Sequence, residues 1–183
     1  GDRLSVGFTR GASTAMGTVN VTGDVKDLRA VDIGVIDKFG VDGFGNATGI
    51  VNIMSGNLSA GTNVARNLRI GWNDSLGTAD GTLSVGGNIS EFEEVLVGLS
   101  EGVGNATGNV TVQSGGLTGT GTGDLLVGRT QGRGTADGTL SVMGGISGFQ
   151  TVGIGRAMAD GNATGIVDVQ NGDLIGFGAN RLL

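Results

Sequence analysis

Branched aliphatic residues recur along this chain in short runs of period-two spacing, and the runs follow one another in a repeating order of three. The first run reads Val19/Val21, Val51/Ile53, Leu83/Val85, Val110/Val112, Leu140/Val142 and Val167/Val169. The second follows a glycine and begins at Val25, Leu58, Ile89, Leu117, Ile146 and Leu174. The third ends in a glycine and reads Val31/Ile33, Leu68/Ile70, Val95/Val97, Leu125/Val127 and Val152/Ile154. Period-two alternation sends one side chain inward and the next outward, so each run predicts a strand of four or five residues. No stretch of ten residues carries helical periodicity. The expected fold is an all-β, single-stranded parallel β-solenoid over residues 1–183, with three short strands per coil and equivalent aliphatic side chains stacked from coil to coil.

A five-residue segment marks each repeat and predicts a turn. GNATG stands at Gly45–Gly49, Gly104–Gly108 and Gly161–Gly165, GTADG at Gly77–Gly81 and Gly134–Gly138, and a weaker copy, STAMG, at Ser13–Gly17. The closing glycines, Gly17, Gly49, Gly81, Gly108, Gly138 and Gly165, are 27 to 32 residues apart, the length of one coil. Asn46, Asn105 and Asn162 are expected to form the turns as well, because asparagine tolerates left-handed backbone and bonds neighbouring amides. Their Asn-Ala-Thr sequences are also glycosylation sequons, which turn formation explains without modification.

The second residue of the segment alternates, Thr14, Asn46, Thr78, Asn105, Thr135, Asn162, so the duplicated unit is two coils. The spacing from closing glycine to third-strand glycine alternates too, which predicts a bulged corner in every second coil, at Ser59–Ala65 and Thr118–Gly123. The chain begins and ends in the middle of a coil, with no polar or helical cap at either edge. The expectation is a longer rod, continued by further copies of the repeat in the same chain or end to end.

Composition narrows the function classes. Forty glycines among 183 residues, with no Pro, fit neither collagen nor, given 38% hydrophobic residues, a disordered linker. A net charge of −6 with no basic cluster disfavours nucleic acid and anionic membranes. No window approaches the ~18 apolar residues of a membrane span. Without Cys the chain has no disulfides, and without His, Cys or Tyr most acid–base and nucleophilic roles are missing. The outward third-strand positions, Ser5, Asp32, Arg69, Leu96, Leu126 and Gly153, form no column of paired acids, so neither an enzyme nor a cofactor is expected. The acidic stretch Glu91, Glu93, Glu94 is expected to be a solvated face.

Asp80 and Asp137 occupy equivalent positions and are weak calcium candidates, since glycine-rich solenoid repeats can hold calcium through turn aspartates. Thr48, Thr107 and Thr164 fill that position in the other coils, leaving one carboxylate per site. A water-ordering face is disfavoured as well, because the column Thr18, Ile50, Thr82, Asn109, Thr139, Ile166 is mixed. Phe8, Val35, Trp72 and Leu99 form a column just beyond the third strand that parity would send inward, interrupted by Arg129 and Arg156.

The order of these elements, with Gly-Thr-Leu-Ser-Val, then Gly-Gly-Asn-Ile or Gly-Gly-Ile, then Leu-Leu-Val-Gly, resembles the repeats of bacterial autotransporter passengers and of related autotransporter and PEP-CTERM-associated surface proteins. The likeness covers nearly the whole chain and is closest at Gly81–Gly87 and Gly138–Gly145. The resemblance implies a right-handed β-helix on, or shed from, a Gram-negative cell surface, acting as a rigid stalk, filament or adhesin. In the last role it would meet cell-surface carbohydrate or protein through the bulged corners.

Overall fold

The computed structural model describes residues 2–38, 44–62 and 66–182, with side chains through residue 176. It is an all-β solenoid of about six turns whose strands, numbered in chain order, all pair in parallel.

One face is a six-stranded sheet of β2 (Ala15–Val21), β4 (Asn46–Ile53), β7 (Thr78–Val85), β10 (Asn105–Val112), β13 (Thr135–Val142) and β15 (Asn162–Val169). Its registers run without a shift, Gly17 against Gly49, Gly49 against Gly81, and so on to Gly165. The second face holds β5 (Leu58–Ala60), β8 (Ile89–Phe92), β11 (Leu117–Gly119) and the first residues of β3 (Val25–Asp37), β14 (Ile146–Ala157) and β16 (Leu174–Leu182). The third face holds β1 (Asp2–Arg10), β6 (Asn67–Asn73), β9 (Glu94–Ser100), β12 (Asp124–Thr130) and the remainder of the three long strands. The inward residues of all three faces form one core, in which Val31, Ile33, Val51, Ile53 and their equivalents in the middle coils are almost completely buried and those of the end coils partly so. Each such side chain contributes about 1.5 to 3 kcal/mol of transfer free energy, which it receives only because a neighbouring coil covers it.

The closing glycines are not turn residues. Each lies in the middle of its strand, and the pentapeptide leads into the strand rather than bending the chain. Glycine is required there because the first and third faces meet backbone to backbone. A methyl group on Gly81 would collide with the Gly71 amide and the Ile33 carbonyl, and one on Gly71 with the Thr107 carbonyl. The third-strand partners Gly7, Gly34, Gly71, Gly98, Gly128 and Gly155 all have φ near +60°. That conformation reverses the inward–outward alternation in every coil without shifting the register between coils. Val35 and its equivalents therefore come to lie outside, contrary to strand parity, while Ile36 turns inward onto Ala47 and Ala79. In other coils the inward-turned residue is polar and clamps the next corner: Ser100 Oγ donates to the Gly104 carbonyl (2.7 Å) and Asn73 Nδ2 to that of Gly77 (2.7 Å).

The corner between the second and third faces has two forms. In β3 and at Glu91 a single left-handed residue makes it, Asp27 (φ 61°) or Glu91 (φ 65°), and Gly148 (φ 76°) does so in β14. The residue that follows, Leu28, Phe92 or Phe149, points into the core. The intervening coils have more residues between their second and third strands, forming the loop 120–123 in the later of them, and carry Ala60 and Gly119 where the short coils carry large side chains. Large and small alternate along the stack: Gly119 stands in register with Phe92, and the Phe149 ring occupies the space where a Gly119 side chain would go. Within the expected corner Ser59–Ala65, positions 63–65 lie outside the described residues.

Candidate functional site

The outer surface of the third face is where the repeat ceases to repeat. Because the left-handed glycine reverses the alternation, the Val35/Trp72/Leu99/Arg129 column joins the Leu96/Leu126 column on the outer side, and the two form the floor of a trough along the rod. One rim is the column Ala30, Asn67, Glu94, Asp124, Thr151, and the other includes Asp74, Glu101 and Gln131.

The trough changes character along its length. At the β1–β3–β6 end, Asp32 is wholly buried and bridges Arg3 and Arg69, whose Nε lies 2.5 Å from Asp32 Oδ1. Two guanidinium groups give the buried carboxylate its compensation, and both also cover rings: Arg69 sits 4.5 Å from the Trp72 centroid and Arg3 4.7 Å from that of Phe8. Trp72 is thereby only 8% exposed. Over the next coils the floor is aliphatic, made of Leu96, Leu99 and Leu126 beneath Glu94, Glu101, Arg129 and Gln131, around a recess of about 150 Å³. A wider cleft of about 450 Å³ adjoins it and shares Asn67 and Glu94. Glu93, Asp124, Gln150 and the corner residues Thr122 and Gly123 complete it.

Two carboxyls here are shifted. Burial, reinforced by the like charge of Asp124, pushes the Glu94 carboxyl above its ordinary range, against the pull of Arg69 and Arg129. Burial and then Asp74 do the same to Glu101, which also accepts a hydrogen bond from Gln131 Nε2 (3.0 Å).

The residues singled out from the sequence lie elsewhere, on the first face. Asn46, Asn105 and Asn162 are exposed at strand starts, and Asn46 Oδ1 accepts from the Thr78 amide (3.2 Å). Asp80 and Asp137 project from the same face with Thr107 between them, about 9.6 Å apart at ~4.8 Å per coil, so one cation cannot bind both. Among the described residues no three His, Cys, Asp or Glu side chains are grouped to hold a metal ion, and no helix is long and apolar enough to cross a membrane.

Glu101 and Asp124 were missed, and Glu94 was read only as part of a solvated stretch, because a single outward column of the third strand was considered. Of the stretch expected to be solvated, Glu91 is exposed, whereas Glu93 and Glu94 are half-buried in the cleft. The usable signal was divergence: Asn67, Glu94 and Asp124 share one column and differ, whereas core columns hold Val, Leu and Ile throughout. No protein-family model matches the chain, and no curated protein or solved structure matches it either.

Proposed function

We propose that the chain is a segment of a rigid spacer, a stalk or filament displayed at the surface of a Gram-negative cell, as its likeness to autotransporter-type repeats implies. The observation that carries this reading is the first face, where six strands stack through seven or eight residues each without a register shift. Continuous backbone ladders over stacked aliphatic columns resist bending, and each coil needs its neighbours, so such an array serves length and stiffness. Deleting one two-coil unit should shorten the rod by about 9.6 Å and leave it folded, measured by small-angle X-ray scattering. A collapsed or unfolded deletion product would contradict a modular spacer.

A second reading is favoured by the 450 Å³ cleft beside the 120–123 corner, the kind of irregular feature on a rigid scaffold that binding sites use. In this reading the chain is an adhesin-like binding module. Replacing corner 120–123 by the one-residue form seen at Glu91, then measuring adhesion of cells displaying the protein, separates the two. A spacer is indifferent to the change, and lost adhesion with an intact fold favours the module.

A further inference from the structure

We infer that Asn171 is a site of spontaneous deamidation, at which the chain exchanges a side-chain amide for a carboxylate through a cyclic imide. The inference is independent of both functional readings, since it rests on a corner of the coil and not on the trough.

Every second coil carries one more residue at the corner between the first and second faces, 54–57, 113–116 and 170–173 against 22–24, 86–88 and 143–145. In these longer corners the second residue is exposed and the third is glycine: Ser55-Gly56, Ser114-Gly115 and Asn171-Gly172. Each glycine is seated close on the backbone of the coil before it. A Cβ on Gly56 would collide with the Gly23 carbonyl, one on Gly115 with that of Gly87, and one on Gly172 with the Gly145 amide. Among the described residues the amides of these three glycines donate to no acceptor. Gly56 and Gly115 have a coil on either side, so the free amide belongs to the corner itself and not to the place of Gly172 along the rod.

An unbonded amide beside an exposed side chain matters only where that side chain has a carbonyl carbon to attack. Serine has none, and Ser55 and Ser114 instead anchor the corner by donating to the carbonyls of Thr22 and Gly86. Asn171 has one, and its Nδ2 is held only by a weak acceptor, Met143 Sδ (2.9 Å). Gly172 N loses its proton to hydroxide and bonds to Asn171 Cγ, while Nδ2 takes a proton from water and leaves as ammonia. Water then opens the five-membered imide at either carbonyl, giving aspartate or isoaspartate. The net change is one water taken up and one ammonia released. With no side chain, Gly172 puts no obstacle in the way of ring closure.

Other positions lack this combination. No other asparagine of the chain precedes glycine. Asn57, Asn73 and Asn88 precede residues whose amides donate to the carbonyls of Asn88 (2.9 Å), Ile36 (3.1 Å) and Gly116 (3.0 Å). Asp80-Gly81 and Asp137-Gly138 could form the same imide, but they lie in mid-strand, paired on both sides. An isoaspartate at 171 routes the main chain through Cβ, one atom longer, at the point where Gly172 sits against Gly144 and Gly145.

The test is peptide mass spectrometry of the whole folded chain held in mildly alkaline buffer, with isoaspartate labelled by isoaspartyl methyltransferase and a urea-unfolded sample alongside. Residue 171 should gain about 1 Da, the difference between an amide and an acid, and accept the label ahead of every other asparagine. Asn171→Ser should abolish both signals. Two transplants then separate the corner from the dipeptide. Ser114→Asn should create a second reactive site, within about threefold of the rate at Asn171, because the Gly115 amide is equally free. Thr107→Asn, before Gly108 in a strand paired on both sides, should react at least about tenfold more slowly, because the ladder must open first. A folded chain in which residue 171 stays an amide while the unfolded sample converts overturns the inference. Thr107→Asn reacting as fast as Asn171 does so too, since the dipeptide alone would then suffice. An inert Ser114→Asn corner with an unchanged circular dichroism spectrum has the same force.

Discussion

The first face and the third face are made of the same kind of parallel strand, joined by the same glycine seam, yet their outward surfaces obey different rules. Outward positions of the first face hold mostly Thr, Ser, Asn and Asp, with Met16, Ile50 and Ile166 as exceptions, and part of the variation follows the two-coil unit, as where Asn46, Thr78, Asn105, Thr135 and Asn162 alternate. Outside the third face, the same column passes from Asp32 to Arg69 to Leu96 within three coils. Where stacking is the only demand, neighbouring residues converge. Where they diverge, something other than stacking is being served, and the buried Arg3–Asp32–Arg69 bridge and the acidic cleft are its local solutions.

The contrast can be broken most severely at the seam that both faces share. Gly71→Ala places a methyl group on the Thr107 carbonyl at a left-handed φ, and should lower stability by at least about 4 kcal/mol or prevent folding, read by chemical denaturation. Gly121→Ala, also at positive φ but with open space around it, should lose only about 1 kcal/mol.

Next in size is Asp32→Asn, which leaves two guanidinium groups facing an uncharged amide and should lower stability by about 3 kcal/mol. Adding Leu at Arg3 and Arg69 together with Asp32→Leu should recover most of that loss, since an apolar replacement needs no compensation. If the single and the triple variants were equally unstable, the bridge would have a role beyond charge compensation.

A smaller effect is expected on the regular side. At the corner between the first and second faces, Asn57 N and Nδ2 donate to Asp24 Oδ1 (2.8 and 3.1 Å), and Asn57 Oδ1 accepts from Asn88 N and Nδ2 (2.8 and 3.1 Å). Asn57→Ala should cost about 1 to 2 kcal/mol, since it interrupts an exposed ladder rather than a buried one.

The smallest effects are of opposite sign in pH. The Lys26 hydrogen bond, with that of the Asn57 amide, lowers the Asp24 carboxyl to about 2. Its support is present above the unfolded value near 3.9 and is lost as the pH falls from about 4 to about 2. Glu94 is raised, so its ionised form opposes folding at neutral pH, and that opposition is relieved as the pH falls through its folded value. Glu94→Gln should raise the Tm by about 1 to 2 °C at pH 7 and by nothing at pH 4, whereas Asp24→Asn should flatten the acid limb of the stability curve. A Glu94→Gln gain that persisted at pH 4 would point to packing instead of charge.

The solenoid was legible because aliphatic period and glycine spacing are one-dimensional signals, and the strands occupy the positions that Val51/Ile53 or Leu125/Val127 marked. The trough was not, because a left-handed glycine in mid-strand reverses parity and neither spacing nor composition reports φ. Val35 and Trp72 were therefore assigned to the wrong side. The closing glycines were read as turn residues, whereas they lie in mid-strand at a close backbone approach; a turn and a close approach both call for glycine, and the sequence does not tell them apart. The pairing of Phe92 and Phe149 with Gly119 escaped notice for a third reason: it relates residues of different coils, and becomes visible only once the register is known.

The alternation of one-residue and looped corners, matched by large and small core side chains, has a consequence for how such a rod changes length. Gly77–Val85 and Gly134–Val142 are identical in sequence and stand in the same register two coils apart. Recombination between them removes or adds one looped and one tight coil together, and each new junction sets a large side chain against a small one, as before. A single-coil exchange would stack phenylalanine on phenylalanine. Heritable variation in the length of this rod should therefore come in even steps.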